Sequence, residues 1–134
     1  MSNAVPVGTI IWRDLTVANA ETIRDFYHQV VGWEYRGEDM GGYADYNMLA
    51  PGSEENLAGI CHARDSNADL PPHWLIYIAV ADVAKSAAAC AALGGKIISG
   101  PRPMGAGLFC AIQDPAGAYC ALYQLPESAN QPED

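Results

Sequence analysis

The stretch IIWRDLTVANAETIRDFYHQVVGW, residues 10–33, changes its hydrophobic period halfway along. Residues 9–17 alternate with period two, which predicts a β-strand. Residues 20–31 place apolar side chains on one stripe at helical spacing. They follow Asn19, a residue type that often begins helices, and precede Gly32, a type that often ends them. The stretch therefore predicts a strand followed directly by a helix that lies on a sheet.

The predicted first strand has two unlike faces. Leu15 and Val17 belong to a mostly apolar face, which suits burial beneath the helix. Trp12 and Asp14 lie on the opposite face, where a carboxylate stands beside an indole. Carboxylates are rarely buried without a partner. This second face therefore borders solvent, a core in which Asp14 has hydrogen-bond partners, or a binding site.

The same order of elements occurs twice along the chain. The first half continues with strands predicted over residues 33–40, 43–49 and 57–63. The second half predicts a strand over residues 74–80, an N-cap at Asp82, a helix over 83–93, and strands over 96–99, 108–113 and 119–125. The Gly- and Pro-rich segment GPRPMGAG, residues 100–107, is predicted to be a loop.

A shift of the first half by 63 residues lays Trp12 on Leu75 and Gly32 on Gly95. We interpret the chain as a single α+β domain, residues 1–134, built from two tandem βαβββ modules. The modules span about residues 8–64 and 73–125, and residues 126–134 form a polar tail. The alternative is a generic α+β domain in which the matched spacing is a coincidence.

Composition excludes several classes of protein. The chain has 134 residues, of which 50% are hydrophobic and 17% charged, which is typical of a folded domain. The net charge of -9 disfavours nucleic-acid binding. No run of about 18 apolar residues predicts a membrane span, and the N-terminal residues do not resemble a signal peptide. The four cysteines lie in apolar elements without metal spacing, which favours reduced thiols in a cytoplasmic protein.

Four stretches together resemble one known family: WRDLTVANAETIRDFYHQVVGW, PPHWLIYIAVADV, ALGGKIISGP and AIQDPAGAYCALYQ. They are similar to the vicinal oxygen chelate superfamily, which contains glyoxalases, bleomycin-resistance proteins and extradiol dioxygenases. The resemblance implies two βαβββ modules whose curved mixed sheets surround a cavity, with helices outside. It also implies a homodimer. The quoted stretches mark the fold and contain no catalytic signature.

The resemblance places the face of Trp12 and Asp14 in the cavity. Alternation along the other strands then adds residues to its wall. The predicted ligand-binding residues are Trp12, Asp14, Tyr46, Met48, Cys61, Leu75, Tyr77, Tyr119, Ala121 and Tyr123. Arg102, in the predicted loop over residues 100–107, is a further candidate at the cavity mouth, or else a solvated cation.

Metal-dependent members of the superfamily hold a divalent ion with His, Glu or Gln from the first and last strands of each module. The matching positions here hold Trp12, Gly59, Leu75 and Ala121. None of these side chains donates a lone pair to a metal. We therefore predict no metal and no cofactor. His28, His62 and His73 are interpreted as surface or strand-end residues, and the alternative is a noncanonical site that joins Asp14 to a histidine.

These inferences predict a protein that binds a small aromatic or amphipathic molecule in an aromatic cavity. One alternative is a lyase, isomerase or dioxygenase-type enzyme that uses a noncanonical metal or Asp14 as general base. Another is an interaction module whose function is its dimer surface. For Asp14, structural hydrogen bonding, ligand contact and catalysis stay open as roles. Cys61 has no evident basic partner in the sequence, so it is not predicted to be a nucleophile.

Overall fold

The computed structural model describes residues 5–126. The order of helices and strands is βαβββ twice, which confirms the predicted doubling and the α+β class. The first set is β1 (Ile10–Val17), α1 (Ala20–Val31), β2 (Glu34–Asp39), β3 (Ala44–Leu49) and β4 (Asn56–His62). The second set is β5 (Leu75–Ala79), α2 (Val83–Ala92), β6 (Lys96–Met104), β7 (Gly107–Gln113) and β8 (Tyr119–Gln124). A short 3-10 helix, Asp65–Asn67, lies between the two sets and was not predicted.

The chain divides into two compact units. One unit is Trp12–Trp74. The other contains, of the residues that the structure describes, 5–11 and 75–126. The division after Trp74 falls between the two βαβββ sets, and Ile10 and Ile11 of β1 belong to the second unit.

The Trp12–Trp74 unit is a four-stranded mixed sheet with α1 on one face. Its strand order is β2-β3-β4-β1, and β1 pairs with β4 in parallel while the other pairs are antiparallel. The core beneath α1 contains Leu15, Val17, Ala20, Met48 and Ile60, so the predicted helix-facing side of β1 is confirmed. Burial of this apolar face is the main force that holds the helix on the sheet.

Helix α1 begins and ends at the predicted residues. Gly32 has φ 88° and donates its backbone N–H to the carbonyl oxygen of His28 over 3.0 Å, a conformation that glycine adopts without strain. Asn19 occupies the N-cap position, but its side chain makes no capping hydrogen bond. The predicted apolar stripe is only partly covered, because Phe26 is 52% and Val30 is 64% exposed.

The second unit has the same plan. Its strand order is β5-β8-β7-β6, and α2 covers a core of Val83, Ala87, Cys110 and Leu122. Asp82 caps α2, as predicted, because its carboxylate accepts a hydrogen bond from the backbone N–H of Lys85 over 3.1 Å. Both predicted residues therefore occupy N-cap positions, but only the Asp82 side chain makes a capping hydrogen bond.

Residues 100–107 are not the predicted loop. Strand β6 continues through Pro101 and Pro103 to Met104, and Arg102 pairs with Phe109 of β7. Two prolines are tolerated because β6 lies at the edge of this sheet, where one side of the strand needs no backbone donor. Register shifts on either side of Ser99 accommodate the irregular backbone.

The described part of the chain contains two α-helices, Ala20–Val31 and Val83–Ala92. Neither is long and apolar enough to cross a membrane.

Candidate functional site

A recess of about 220 Å³ opens in the Trp12–Trp74 unit. Trp12 and Asp14 line it from β1, on the side of the sheet opposite the core that contains Leu15 and Val17. The full lining is Trp12, Asp14, Glu38, Met40, Asp45, Tyr46, Asn47, Gly59 and Cys61. The face of β1 that the sequence left ambiguous therefore borders a concave surface with both apolar and acidic side chains.

Within the recess, Asp14 is tied to its neighbour on the same face. The indole Nε1–H of Trp12 donates a hydrogen bond to Asp14 Oδ1 over 2.7 Å. A short N–H···O bond to a carboxylate is among the stronger hydrogen bonds in proteins. The structural role considered for Asp14 is therefore present, with an indole as the donor.

Gly59 makes room for the Asp14 carboxylate. In the parallel pairing of β1 with β4, Asp14 lies directly opposite Gly59. A Cβ atom at residue 59 would overlap Asp14 Oδ1 and press on its carboxyl carbon. Gly59 does not have a positive φ, so its requirement for glycine is one of space.

Cys61 lies beside these residues, as predicted, and is unreactive by its surroundings. Burial raises the pKa of the Cys61 thiol strongly, and the negative charges of Asp14 and Asp45 raise it further. The thiol is therefore fully protonated at neutral pH. Since the thiolate is the nucleophilic form of cysteine, Cys61 serves as a half-buried wall residue.

Of the two residues predicted on β3, Tyr46 lines the recess and Met48 does not. Met48 is fully buried in the core beneath α1, so it does not line the recess. Tyr46 borders the recess, but its ring belongs to the same core and its hydroxyl donates to Glu21 of α1 over 3.0 Å. Asp45 and Asn47, on the alternate positions, line the recess instead. Alternation separates the two faces of a strand but does not say which face meets the helix.

Glu38 and Met40 also line the recess and were missed by the sequence reasoning. Glu38 lies on β2, directly opposite Asp45 of β3 in the antiparallel ladder. The segment Glu34–Asp39 is exposed throughout. Its sequence predicts a strand that faces solvent. Only the pairing of β2 with β3 carries these residues to the recess.

In the second unit, three predicted ligand-binding residues are core residues. Leu75, Tyr77 and Ala121 are 1%, 5% and 0% exposed. The ring of Tyr77 packs against Phe109, with the ring centroids 5.6 Å apart. The predicted face of β5 is correct, since Ile78 packs on the opposite side with the core beneath α2. These side chains are covered in this chain and do not form an open wall.

The two other tyrosines of β8 are half-buried. The Tyr123 hydroxyl donates to the carbonyl oxygen of Met104 over 2.7 Å and accepts the Gly107 N–H over 3.0 Å. This hydroxyl therefore closes the turn between β6 and β7. Tyr119 pairs with Gln113 of β7 at the other end of the strand.

Arg102 is packed rather than solvated. Its guanidinium lies 4.6 Å from the ring centroid of Phe109, and its Nε–H donates to Ser99 Oγ over 3.1 Å. A guanidinium over an aromatic face is stabilised by a cation–π interaction. Both contacts explain why the cation is half-buried on the edge strand β6.

The superfamily's metal does not fit the residues of this chain. In the Trp12–Trp74 unit, the indole N–H of Trp12 donates a hydrogen bond to Asp14, and Gly59 has no side chain. In the second unit, Leu75 and Ala121 are buried apolar residues. Across residues 5–126 no group of three or more His, Cys, Asp or Glu side chains is placed to hold a metal ion.

His28 and His62 make side-chain contacts near their own strands and helices. His28 Nδ1 lies 2.6 Å from the carbonyl oxygen of Trp33. His62 lies on the helix side of β4, opposite Cys61 as predicted, and contacts the carboxylates of Asp45 and Glu21. His73 is exposed, next to the start of β5.

Residues 9–122 match the family model described as "Glyoxalase/Bleomycin resistance protein/Dioxygenase superfamily". The chain belongs to this family. It is similar to the protein named "Putative glyoxylase CFP32" of Mycobacterium bovis and Mycobacterium tuberculosis, with 33% identity over 122 residues. The match covers 90% of this chain and 46% of the relative. The chain thus spans about half the length of the curated relatives that it matches.

Solved structures with similar folds include the methylmalonyl-CoA epimerase of Mycobacterium tuberculosis. Its TM-score is 0.54 at 17% identity, and the match covers 94% of this chain and 95% of that chain. A hypothetical protein of Bacillus halodurans gives a TM-score of 0.56 at 13% identity, with 95% and 99% covered. At these identities the likeness concerns the fold, which confirms the α+β class implied by the sequence resemblance.

Proposed function

We propose that this chain binds a small molecule in the recess of the Trp12–Trp74 unit. The observation that carries the proposal is the lining of that recess, in which an indole, a thioether and several carboxylates converge on about 220 Å³ of space. Ligand sites are typically concave, partly aromatic and supplied with a few polar groups that fix orientation. Family membership supports the same function, because the family includes small-molecule-binding proteins.

The size and chemistry of the recess restrict the kind of ligand that it can bind. Pockets for drug-sized ligands begin at about 300 Å³, so this recess suits a smaller molecule. Trp12 offers aromatic surface, and Asp14 and Asp45 offer oxygen atoms that accept hydrogen bonds. The ligand we propose is a small aromatic or amphipathic molecule that carries N–H or O–H donors.

A thermal-shift screen tests the proposal. The full chain is screened against small aromatic amines, phenols and uncharged aromatic compounds. A ligand that binds only the folded state, present at 100 times its Kd, stabilises the protein by about 2.7 kcal/mol and raises Tm. We expect Trp12→Ala and Asp14→Asn to remove the Tm increase that a ligand produces in the wild type.

Phe26→Ala is the matched control for the screen. Phe26 is 52% exposed on α1 and does not line the recess, so this variant keeps the ligand response. A response that survives both Trp12→Ala and Asp14→Asn places the ligand elsewhere and contradicts the proposal. The absence of any response across the three compound classes also contradicts it.

An enzymatic function is the second candidate, and it is favoured by the name of the mycobacterial relatives at 33% identity. In this version Asp14 acts as a general base on a bound substrate. If a ligand from the screen is converted, Asp14→Asn must abolish turnover while circular dichroism shows that the variant is still folded. Elemental analysis of protein purified without chelator tests the noncanonical metal version, which requires one equivalent of bound metal.

The homodimer and the cytoplasmic location stay predictions. The interaction-module alternative also requires strong self-association, but it does not require a ligand. Sedimentation velocity over a wide range of protein concentration measures the association. A monomer at all concentrations would exclude both the homodimer and the interaction module.

A further inference from the structure

The side chain of His62 lies between two carboxylates that come from different elements. Its Nδ1 is 3.1 Å from Asp45 Oδ1 on β3. Its Nε2 is 3.0 Å from Glu21 Oε2 and 3.1 Å from Glu21 Oε1, in the first turn of α1. The imidazole therefore connects the beginning of the helix to the sheet.

Hydrogen-bond chemistry sets the protonation state that this arrangement needs. A neutral imidazole has one N–H donor and one lone pair, whereas ionised carboxylates only accept hydrogen bonds. Both ring nitrogens of His62 face carboxylate oxygens, so only the imidazolium donates to Glu21 and Asp45 at once. Asp45 Oδ1 also accepts the backbone N–H of His62 over 2.9 Å, which fixes the carboxylate beside the ring.

We propose that Glu21, His62 and Asp45 form a proton-dependent clamp that fixes the first turn of α1 to strands β3 and β4. When His62 loses its proton, one of the two carboxylates loses its donor. Glu21 is the one that loses the His62 donor, because its side chain is 54% exposed against 10% for Asp45. Glu21 then keeps the Tyr46 hydroxyl as a donor, 3.0 Å from its Oε2. Asp45 keeps its bond from the His62 backbone in either state. The clamp does not depend on the proposed ligand.

The carboxylates around His62 favour the protonated, positively charged imidazole ring. Burial alone lowers the pKa of His62, but the hydrogen bonds to Asp45 and Glu21 outweigh it, so the pKa is raised above its ordinary value of 6.5. The hydrogen bond from His62 is the largest cause of the lowered pKa of Glu21. Glu21 is therefore a carboxylate, and His62 an imidazolium, between pH 4.5 and 6.5.

The other groups around the ring do not replace either carboxylate. Tyr43 packs edge-on against His62, with the ring centroids 5.4 Å apart, and Tyr46 lies 6.4 Å away. Two cations lie one layer further out: Arg64 stacks on Tyr43 at 3.9 Å, and Arg24 stacks on Tyr46 at 4.7 Å. Burial raises the pKa of Tyr46 first of all, so Tyr46 stays neutral through the titration of His62.

A pH titration of the imidazole nitrogens by NMR, on the full chain, tests the clamp. His28→Gln and His73→Gln assign the signals. We expect His62 to titrate above 6.5, with both nitrogens protonated in the acidic state. In Glu21→Gln, which keeps the shape and loses the charge, the pKa of His62 falls. Tyr46→Phe is the control, because it removes a contact to Glu21 without removing charge, and it does not lower the pKa of His62.

Hydrogen exchange gives a second readout of the same clamp. The Ile23 amide bonds to the carbonyl oxygen of Asn19 over 3.1 Å and so reports the first turn of α1. We expect its protection, corrected for the intrinsic effect of pH, to fall as pH rises through the pKa of His62 in the wild type but not in Glu21→Gln. A His62 pKa at or below 6.5, or one that Glu21→Gln leaves unchanged, would overturn the clamp. Protection of Ile23 that is the same in both proteins at every pH would overturn it as well.

Discussion

Three residues on the open face of the first unit depend on one another. Trp12 donates to Asp14, and the Asp14 carboxylate occupies the space that a side chain at Gly59 would need. Trp12 and Gly59 are two of the positions at which the sequence resemblance implies metal ligands. In this chain Trp12 holds the Asp14 carboxylate by a hydrogen bond, and Gly59 leaves room for it.

The contact between Asp14 and Gly59 predicts a steric effect. Gly59→Ala forces the Asp14 carboxylate to move and is expected to lower the free energy of unfolding by about 1–3 kcal/mol, the usual cost of overpacking. Chemical denaturation measures the change. Gly37→Ala on β2 is the matched control, since its new methyl meets Ala44 and Tyr46 at ordinary distances of 3.8 and 3.9 Å.

Gly37→Ala is expected to be neutral, or to stabilise by about 0.4–1 kcal/mol because alanine restricts the unfolded chain. Equal losses of stability in Gly59→Ala and Gly37→Ala would show that the space above Gly59 is not filled by Asp14. In the background of Asp14→Ala, the cost of Gly59→Ala is expected to shrink.

The two indole donors of this unit allow a comparison of acceptors. Trp12 donates to the carboxylate of Asp14 over 2.7 Å, and Trp74 donates to the hydroxyl of Tyr27 over 3.1 Å. Double-mutant cycles of Trp12→Phe with Asp14→Ala, and of Trp74→Phe with Tyr27→Phe, measure each coupling by chemical denaturation. We expect about 1.5–3 kcal/mol for the charged acceptor and about 0.5–1.5 kcal/mol for the neutral one. The reverse order would show that Asp14 is held mainly by its other contacts.

At the scale of elements, the two helices begin with different chemistry. Asp82 accepts a hydrogen bond from the Lys85 N–H, whereas the side chain of Asn19 caps nothing. Both residue types favour the N-cap position, so sequence alone treats them alike. The backbone at Asn19, with φ -116° and ψ 57°, departs from the extended conformation seen at Asp82. Local backbone geometry therefore decides whether a cap forms.

The difference between the helix caps gives a matched pair of substitutions. Asp82→Ala removes a capping bond and is expected to lower the free energy of unfolding by about 1 kcal/mol. Asn19→Ala removes no capping bond and is expected to change it by less than about 0.5 kcal/mol. Chemical denaturation of the two variants and the wild type makes the comparison. An Asn19→Ala cost equal to that of Asp82→Ala would contradict the assignment.

The edge strand β6 shows how context overrides composition. The segment GPRPMG has the residues of a loop, yet it pairs with β7 through Met104 and Gly107. Proline cannot donate a backbone hydrogen bond, and an edge strand needs only half of its donors. Strand position within a sheet is set by long-range pairing, so the local sequence did not predict this extension.

At the scale of the whole molecule, two coupled groups shape the pH dependence of stability. The raised pKa of His62 contributes stability that is present below 6.5 and is lost as pH rises through its folded pKa. The lowered pKa of Glu21 contributes stability that is present above 4.5 and is lost as pH falls through its folded pKa. The contribution of the pair is therefore greatest between these two values.

The difference in stability between the wild type and Glu21→Gln, measured at each pH, isolates the contribution of the Glu21–His62 pair. Thermal or chemical unfolding across the range from acid to alkaline pH gives the two curves. We expect the wild type to gain most over the variant between pH 4.5 and 6.5, with the gain shrinking on both sides. The comparison removes the general effect of the net charge of -9, because both proteins share the rest of their charges. A difference that does not vary with pH would contradict the charged interaction.

The sequence by itself determined the order of the elements, the doubled plan and the extent of α1, which runs from Ala20 to Val31 as predicted. These features follow from hydrophobic periodicity and from the residue types that begin or end helices. Each of these signals lies within a short stretch of sequence. Sequence also determined the two faces of β1, because alternation along a strand is fixed by the backbone.

Only the tertiary structure decided which residues share the recess. Asp45 and Glu38 reach it through the pairing of β2, β3 and β4, while Met48 turns into the core. Only the fold brings His62 to Glu21, 41 residues away in sequence. A shift of one residue in strand register exchanges the two faces of a strand, and register depends on distant partners. For this reason the local sequence pattern predicted the strands of this protein, whereas tertiary packing determined which side chains contact one another.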